Sequence, residues 1–156
     1  YAYEPAALSP WLIALEYAVV FAVALFELLI LPSKRFQQWL QNHYIARAEI
    51  KWQRIQHLLP VGAAVLALGT GNGALVKMLR DKGYVVQSLG VVNKSVFDNV
   101  LPTLYNGTQF PFKNKSFDVV IIITVLHHTP QPDLILAEAE LIKSYPIPVT
   151  IQSLTQ

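Results

Sequence analysis

The 156-residue chain contains no cysteine, which excludes disulfides and thiolate metal sites and leaves the redox compartment unreadable. Charge is scarce: Asp, Glu, Lys and Arg make up 14% of the residues, against roughly 25% in a typical soluble domain. The net charge is only +2, so there is no electrostatic case for nucleic acid as a partner. Internal repeats and low-complexity tracts are missing too. Apolar residues dominate instead, at 53% of the total. So apolar a chain is expected to bury surface in something besides its own core.

The longest apolar run is "WLIALEYAVVFAVALFELLIL", Trp11 to Leu31, bounded by Pro10 and Pro32. As a helix it is about 31 Å long, which matches a bilayer core of about 30 Å. A secretory signal has a shorter apolar core behind a basic region, and "YAYEPAALSP" carries no Lys or Arg. The run therefore reads as a transmembrane helix, against the competing reading of a buried helix in a soluble domain. Lys34, Arg35, Arg47, Lys51 and Arg54 follow it, whereas the preceding flank offers only Glu4. The positive-inside rule then places the N-terminus outside and all that follows residue 32 on the cytoplasmic, matrix or stromal side.

Two carboxylates interrupt the span. Glu16 and Glu27 are three helical turns apart and share one face. Each can snorkel to an interface, or the face they mark can pack on a polar site of another helix. Ala14, Ala18 and Ala22 form a small-residue ridge on nearly the opposite face, which suits close helix packing. These five residues are the candidate contacts with other transmembrane subunits, the remainder of the span facing lipid.

Ser33 is placed to cap a following helix. Phe36, Trp39, Leu40 and Tyr44, then Ile55, Leu58 and Leu59, recur at helical spacing. Residues 33–59 read as an amphipathic linker of one or two helices with tryptophans near lipid headgroups. A core-facing helix is the alternative. His43 and His57 read as solvated.

From Pro60 onward, apolar strands alternate with helices. "AAVLAL", "YVVQSLGVV", "TLYNG", "FDVVIIIT" and "PVTIQS" are the strand candidates; "ALVKMLRDKG" and "PDLILAEAELIKS" are the helix candidates. This is the pattern of an α/β domain, a Rossmann-like parallel sheet of about five strands with flanking helices. The expected organisation is an N-terminal flank 1–10, a transmembrane helix 11–32, a linker 33–59 and an α/β domain 60–156.

"VLALGTGNG", Val65 to Gly73, joins the first strand to its helix. Such a turn lets a ligand approach the backbone and meet the helix N-terminus. Read in order with "QFPFKNKSFDVVIIITVLHHTPQPDLILAEAELI", it resembles the class I S-adenosylmethionine-dependent methyltransferases, small-molecule branch. Phe110 to Phe112, Ser116 to Asp118 and Leu126 to His128 fit that family's second block. The resemblance covers roughly residues 50–144 and explains His127 and His128 as part of the loop after a strand. Adjacent side chains of an extended segment point apart and no third ligand is evident, so no metal site is expected there.

The resemblance implies a cofactor site at Gly69, Gly71, Gly73, Gly90 and Asn106, and it implies three acidic positions that this chain lacks. Ala67 stands where an acid lies near the methionine amino group. Gly90, or Val92 two positions on, stands where an acid takes the ribose hydroxyls. Asn106 stands near the adenine amino group. Losing two hydrogen bonds to a charged group and one ionic partner removes on the order of 4–8 kcal/mol, about a thousandfold or more in affinity. The site therefore reads as vestigial, with no catalytic residue and no cofactor expected. The chain also ends before the family's last two strands, leaving an exposed sheet edge that invites cover by a partner.

The function expected from the sequence is an accessory or stabilising subunit of a larger membrane complex, respiratory or photosynthetic, without catalysis. The opposing expectation is an active methyltransferase that uses S-adenosylmethionine on a membrane-derived lipid, quinone or pigment precursor. A soluble nucleotide-binding module is a third.

Overall fold

The computed structural model describes residues 9–123 and 125–144, and residues 150–152 by backbone alone. Residues 1–8 of the N-terminal flank, Glu4 among them, and positions 148, 149 and 153 of the last expected strand lie outside the described residues. The chain divides into two compact units, Tyr1–Leu40 and Gln41–Gln156.

In the first unit, helix α1 runs Pro10–Leu29. Pro10 sits at the helix start, where a missing N–H costs nothing. None of the helix residues is buried. It is one helix long and apolar enough to cross a membrane. Glu16, Glu27, Ala14, Ala18 and Ala22 all lie on it. Helix α2 (Lys34–Ile55) follows after a short turn. Ser33 caps it as expected: the Phe36 N–H donates to Ser33 Oγ at 3.3 Å. Gln37 Nε2 donates to the Leu31 carbonyl at 2.7 Å, and Phe36 sits edge-on to Phe26 and stacks on Trp39.

The rest of α2 belongs to the second unit. Tyr44, Ile45, Ala48, Trp52 and Ile55 form one stripe at helical spacing and pack into the core beside Leu58 and Leu59. Trp52 meets Tyr84 edge-on with centroids 5.8 Å apart, and Lys82 Nζ lies 5.0 Å from the Trp52 ring. Gln41 Nε2 donates to the Val96 carbonyl at 2.8 Å. The α/β domain therefore begins at Gln41, not at residue 60. Residues 41–59 are a core-facing helix and a short turn rather than a headgroup-facing linker, because their apolar stripe finds a sheet face to cover.

The sheet is parallel throughout. Its strands are β1 (Ala64–Leu68), β2 (Val85–Gly90), β3 (Thr103–Leu104), β4 (Val119–Ile123) and β5 (Thr150–Gln152), in the order β3-β2-β1-β4-β5. Helices α3 (Ala74–Asp81) and α4 (Pro132–Ile142) follow β1 and β4. Strand alternation divides the core in two. Val65, Ala67, Val119, Ile121 and Ile123 face α2 and α3; Leu66, Leu68, Val120 and Ile122 face α4 through Ile135, Ala139 and Ile142. Every β4 residue is buried, which explains its unbroken apolar run.

β3 and β2 end earlier than the sequence suggests. β3 stops at Leu104 because Asn106 Oδ1 accepts the N–H groups of Thr108 and Gln109, at 3.0 and 3.1 Å, and curls the chain into a turn. β2 stops at Gly90, and Val91 and Val92 are exposed. The strand order reverses between β1 and β4. In open parallel sheets that switch point is where ligands bind.

Candidate functional site

At the switch point lies a crevice of about 410 Å³, lined by Gly69, Thr70, Gly71, Gly90, Val91, Val92, Lys94, Val125 and His128. The turn from β1 to α3 forms its floor. Gly69, Gly71 and Gly73 all have left-handed backbones, with φ of 67°, 54° and 82°, which explains glycine at every second position. The Gly69 N–H donates to the Leu89 carbonyl at 2.8 Å, and the Val96 N–H donates to the Asn72 carbonyl at 3.1 Å. Asn72 Oδ1 accepts the Ala74 N–H at 3.0 Å, at the first turn of α3.

The three glycines differ in what they face. A Cβ on Gly69 would fall inside the Val125 side chain, and one on Gly73 would lie 2.6 Å from Ser95 Oγ. A Cβ on Gly71 would meet nothing within 4 Å. Two of the three therefore make room for protein, and only Gly71 opens onto free space. The crevice gathers Gly69, Gly71 and Gly90 from the expected site. Gly73 is turned into packing, and Asn106 lines a separate depression with Tyr105, Phe110 and Phe112. The Asn106 oxygen is engaged three times, by both N–H groups of its own turn and by the Thr108 hydroxyl.

Ala67 is buried and lines a different cavity, about 230 Å³, on the α2 side of the sheet. Tyr44, Arg47, Ala48 and Lys51 of α2 form one wall, and the glycine turn forms another. The Lys51 ammonium is held below its ordinary pKa of 10.5, first by burial and then by the neighbouring Arg47 charge. Arg47 and Lys51 read in the sequence only as flanking charges. Their spacing with Tyr44 and Ala48, at one helical face, was the available signal.

His127 and His128 do not point apart. They lie in a tight 3-10 turn, Leu126–His128, that brings their ring centroids to 3.8 Å. The segment is a turn rather than extended chain, so the two adjacent side chains are not directed apart. Among the described residues, no group of three or more His, Asp or Glu is placed to hold a metal ion.

The second block of the motif is mostly framework. The Phe110 N–H donates to Glu138 Oε2 at 2.9 Å. Ser116 Oγ donates to the Lys113 carbonyl at 2.6 Å. Phe112 packs edge-on to the buried Phe117. Asp118 bonds to the start of β1.

A family described as the methyltransferase domain matches residues 66–142, from β1 to the end of α4. Solved structures agree. A Pyrococcus horikoshii protein matches with a TM-score of 0.55 at 23% identity, covering 64% of this chain and 53% of its own length. An S-adenosylmethionine-dependent methyltransferase of Mesorhizobium loti matches with a TM-score of 0.51 at 18% identity, covering 60% and 49%. An Anabaena variabilis protein, assigned as a methyltransferase of an antibiotic biosynthesis pathway, matches with a TM-score of 0.52 at 20% identity, covering 64% and 41%. The fold is that of the class I S-adenosylmethionine-dependent methyltransferases. The methyltransferase-like chain spans about half or less of these structures. No curated protein matches it.

The positions at which the resemblance implies acids for S-adenosylmethionine are filled in this methyltransferase-like fold by Ala67, Gly90 and Asn106. Among the described residues, no carboxylate lines the glycine-turn crevice or the Ala67 cavity. β2 ends in Gly90, which has no side chain to offer a ribose. The Asn106 oxygen is spent on its own turn.

Proposed function

We propose that the chain is a membrane-anchored, methyltransferase-like accessory subunit of a larger membrane complex, without catalytic activity. The observation that carries the reading is that, among the described residues, no carboxylate lines the glycine turn, where a cationic, ribose-bearing cofactor is expected to meet several. Two further features support it. α1 has the length and apolar character to span a bilayer, and it carries two marked faces, the Glu16–Glu27 face and the Ala14–Ala18–Ala22 ridge, that a lone helix in lipid gains nothing from. The test is calorimetric titration of the full chain in mild detergent with S-adenosylmethionine. No binding is expected in the tens-of-micromolar range, and a micromolar Kd would overturn the reading.

Lys34 and Arg35 against an unbasic flank support an orientation with the N-terminus outside and the α/β domain on the cytoplasmic, matrix or stromal side. Protease added to that side of sealed vesicles should digest residues 60–156; their protection would reverse the assignment.

One observation favours a second reading. The crevice of about 410 Å³ falls within the range of small-molecule sites, roughly 300–1,000 Å³. An active methyltransferase using S-adenosylmethionine on a membrane-associated lipid, quinone or pigment precursor would need that space. Transfer of a labelled methyl group to a membrane extract would establish it.

A further inference from the structure

The end of α1 fixes the depth of residues that lie beyond it. Phe26 is three residues short of Leu29, where the helix ends, a rise of about 4.5 Å. With α1 across a bilayer, Phe26 therefore lies at the boundary between hydrocarbon and headgroups. Phe36 lies beyond the span, in the first turn of α2, yet it sits edge-on to Phe26 with ring centroids 5.8 Å apart. Trp39 stacks on Phe36 at 5.7 Å. These contacts hold the start of α2 at the depth of Phe26 instead of letting the chain run off into water. Hydrogen bonds fix the turn between the helices. The Ser33 N–H donates to the Ile30 carbonyl at 3.0 Å, and Gln37 Nε2 reaches back to the Leu31 carbonyl.

The outer side of this aromatic row is open. Trp39 exposes 59% of its surface and Phe26 44%. Water gives such a row little reason to stay exposed, whereas the headgroup layer suits an indole, whose ring is apolar and whose N–H is polar. The charges beside the row have one sign. Lys34 and Arg35 are exposed and directly precede Phe36. Neither enters an ion pair among the described residues, and Glu27 pairs with neither. From Leu28 to Ala48 the chain has no Asp or Glu. Two unneutralised cations at headgroup depth face lipid phosphates, the arginine as a planar fork and the lysine as a point charge. A zwitterionic headgroup already carries its own cation, so an anionic one is the better complement.

We propose that the α1–α2 turn, Phe26 to Trp39, is an interfacial anchor selective for anionic phospholipid, in which Phe26, Phe36 and Trp39 set the depth and Lys34 and Arg35 hold the headgroup phosphates. This anchor rests on the membrane-spanning reading of α1 and is independent of the accessory-subunit role.

The experiment reconstitutes the full chain into vesicles of phosphatidylcholine and phosphatidylglycerol, with one lipid or the other brominated high on its acyl chain to quench nearby tryptophan. The fluorescence component lost in Trp39→Phe reports position 39. Brominated phosphatidylglycerol should quench it at a lower mole fraction than brominated phosphatidylcholine. Lys34→Gln and Arg35→Gln should each reduce that preference about fivefold, the contribution of one cation at an anionic surface. Added salt should reduce it as well. Lys113→Gln, outside the first unit, should leave it unchanged. Washing the vesicles with alkaline carbonate separates two failures. A chain that washes off overturns the membrane-spanning reading and this proposal with it. A chain that stays embedded, with Trp39 unquenched or quenched equally by both lipids, overturns the proposal alone. So does an equal loss of preference in Lys113→Gln.

Discussion

Asp118 and Ala64 hold the first and fourth strands together at their starts. Asp118 Oδ2 accepts the Ala64 N–H at 2.8 Å, and the Asp118 N–H donates to the Ala64 carbonyl at 2.8 Å. The carboxylate thus completes a strand-to-strand pairing one residue ahead of the ladder, which begins at Val65 and Val119. This acid belongs to the motif that resembles the methyltransferases, yet its role here is structural. Asp118→Ala should lower unfolding stability by about 1.5–3 kcal/mol, the range for a hydrogen bond to a charged group. Asp118→Asn, which keeps an acceptor, should lose less. Denaturant midpoints at constant m-value would show the order.

The glycine turn predicts an asymmetry. Gly69→Ala must find space where Val125 sits and must hold a left-handed backbone. Gly71→Ala meets open space and bears only the backbone cost, about 1–2 kcal/mol. The first substitution should therefore destabilise well beyond the second. Adding Val125→Ala should recover part of the loss for Gly69→Ala and none for Gly71→Ala, a coupling that a double-mutant cycle measures.

Residues 41–59 are predicted to be indispensable to the α/β domain. Ile55 is fully buried, and Trp52 covers Tyr84. A chain beginning at Gln41 should unfold cooperatively, whereas one beginning at Pro60 should lose a sharp thermal transition. Equal cooperativity in both would return α2 to the role of a linker.

The proposed packing of α1 carries its own test. Replacing Ala18 and Ala22 with Leu widens the small-residue ridge, whereas Val19→Leu does not touch it. The double replacement should weaken co-purification with a membrane complex in mild detergent more than Val19→Leu does. A wild-type chain that runs as a free monomer under those conditions would remove the basis for a partner.

Stability should depend on pH through Lys51. Its folded pKa is lowered from 10.5 by burial and by Arg47, so between the lowered value and 10.5 the unfolded chain binds more protons than the folded one. Stability then rises with pH across that window. Lys51→Met should raise the thermal midpoint at neutral pH, where the ammonium is charged, and should flatten the rise. Because the side chain is only half-buried, solvent screening keeps the effect small.

Much of this molecule is decided by local physics that a sequence displays. An apolar run of bilayer length, broken only by Glu16 and Glu27, needs no partner to be recognised, and α1 covers most of it. β4 reads as a buried strand because each of its residues is apolar, and β1 and α3 are delimited by glycines whose left-handed backbones only glycine adopts easily. The Ser33 cap is equally local. What the tertiary structure alone decided depends on meetings between distant segments. The α2 stripe could face lipid or a core, and only the sheet face it covers, with Trp52 on Tyr84, settles the choice. The strand order β3-β2-β1-β4-β5 sends Gly90 to the crevice and Asn106 to a separate depression, although both belonged to one expected cofactor site. Val125 reaches Gly69 across more than fifty residues of chain. Arg47 and Lys51 looked like membrane-flanking charges until packing set them beside Ala67, because a charge acquires its partner, or its lack of one, only when the chain folds around it.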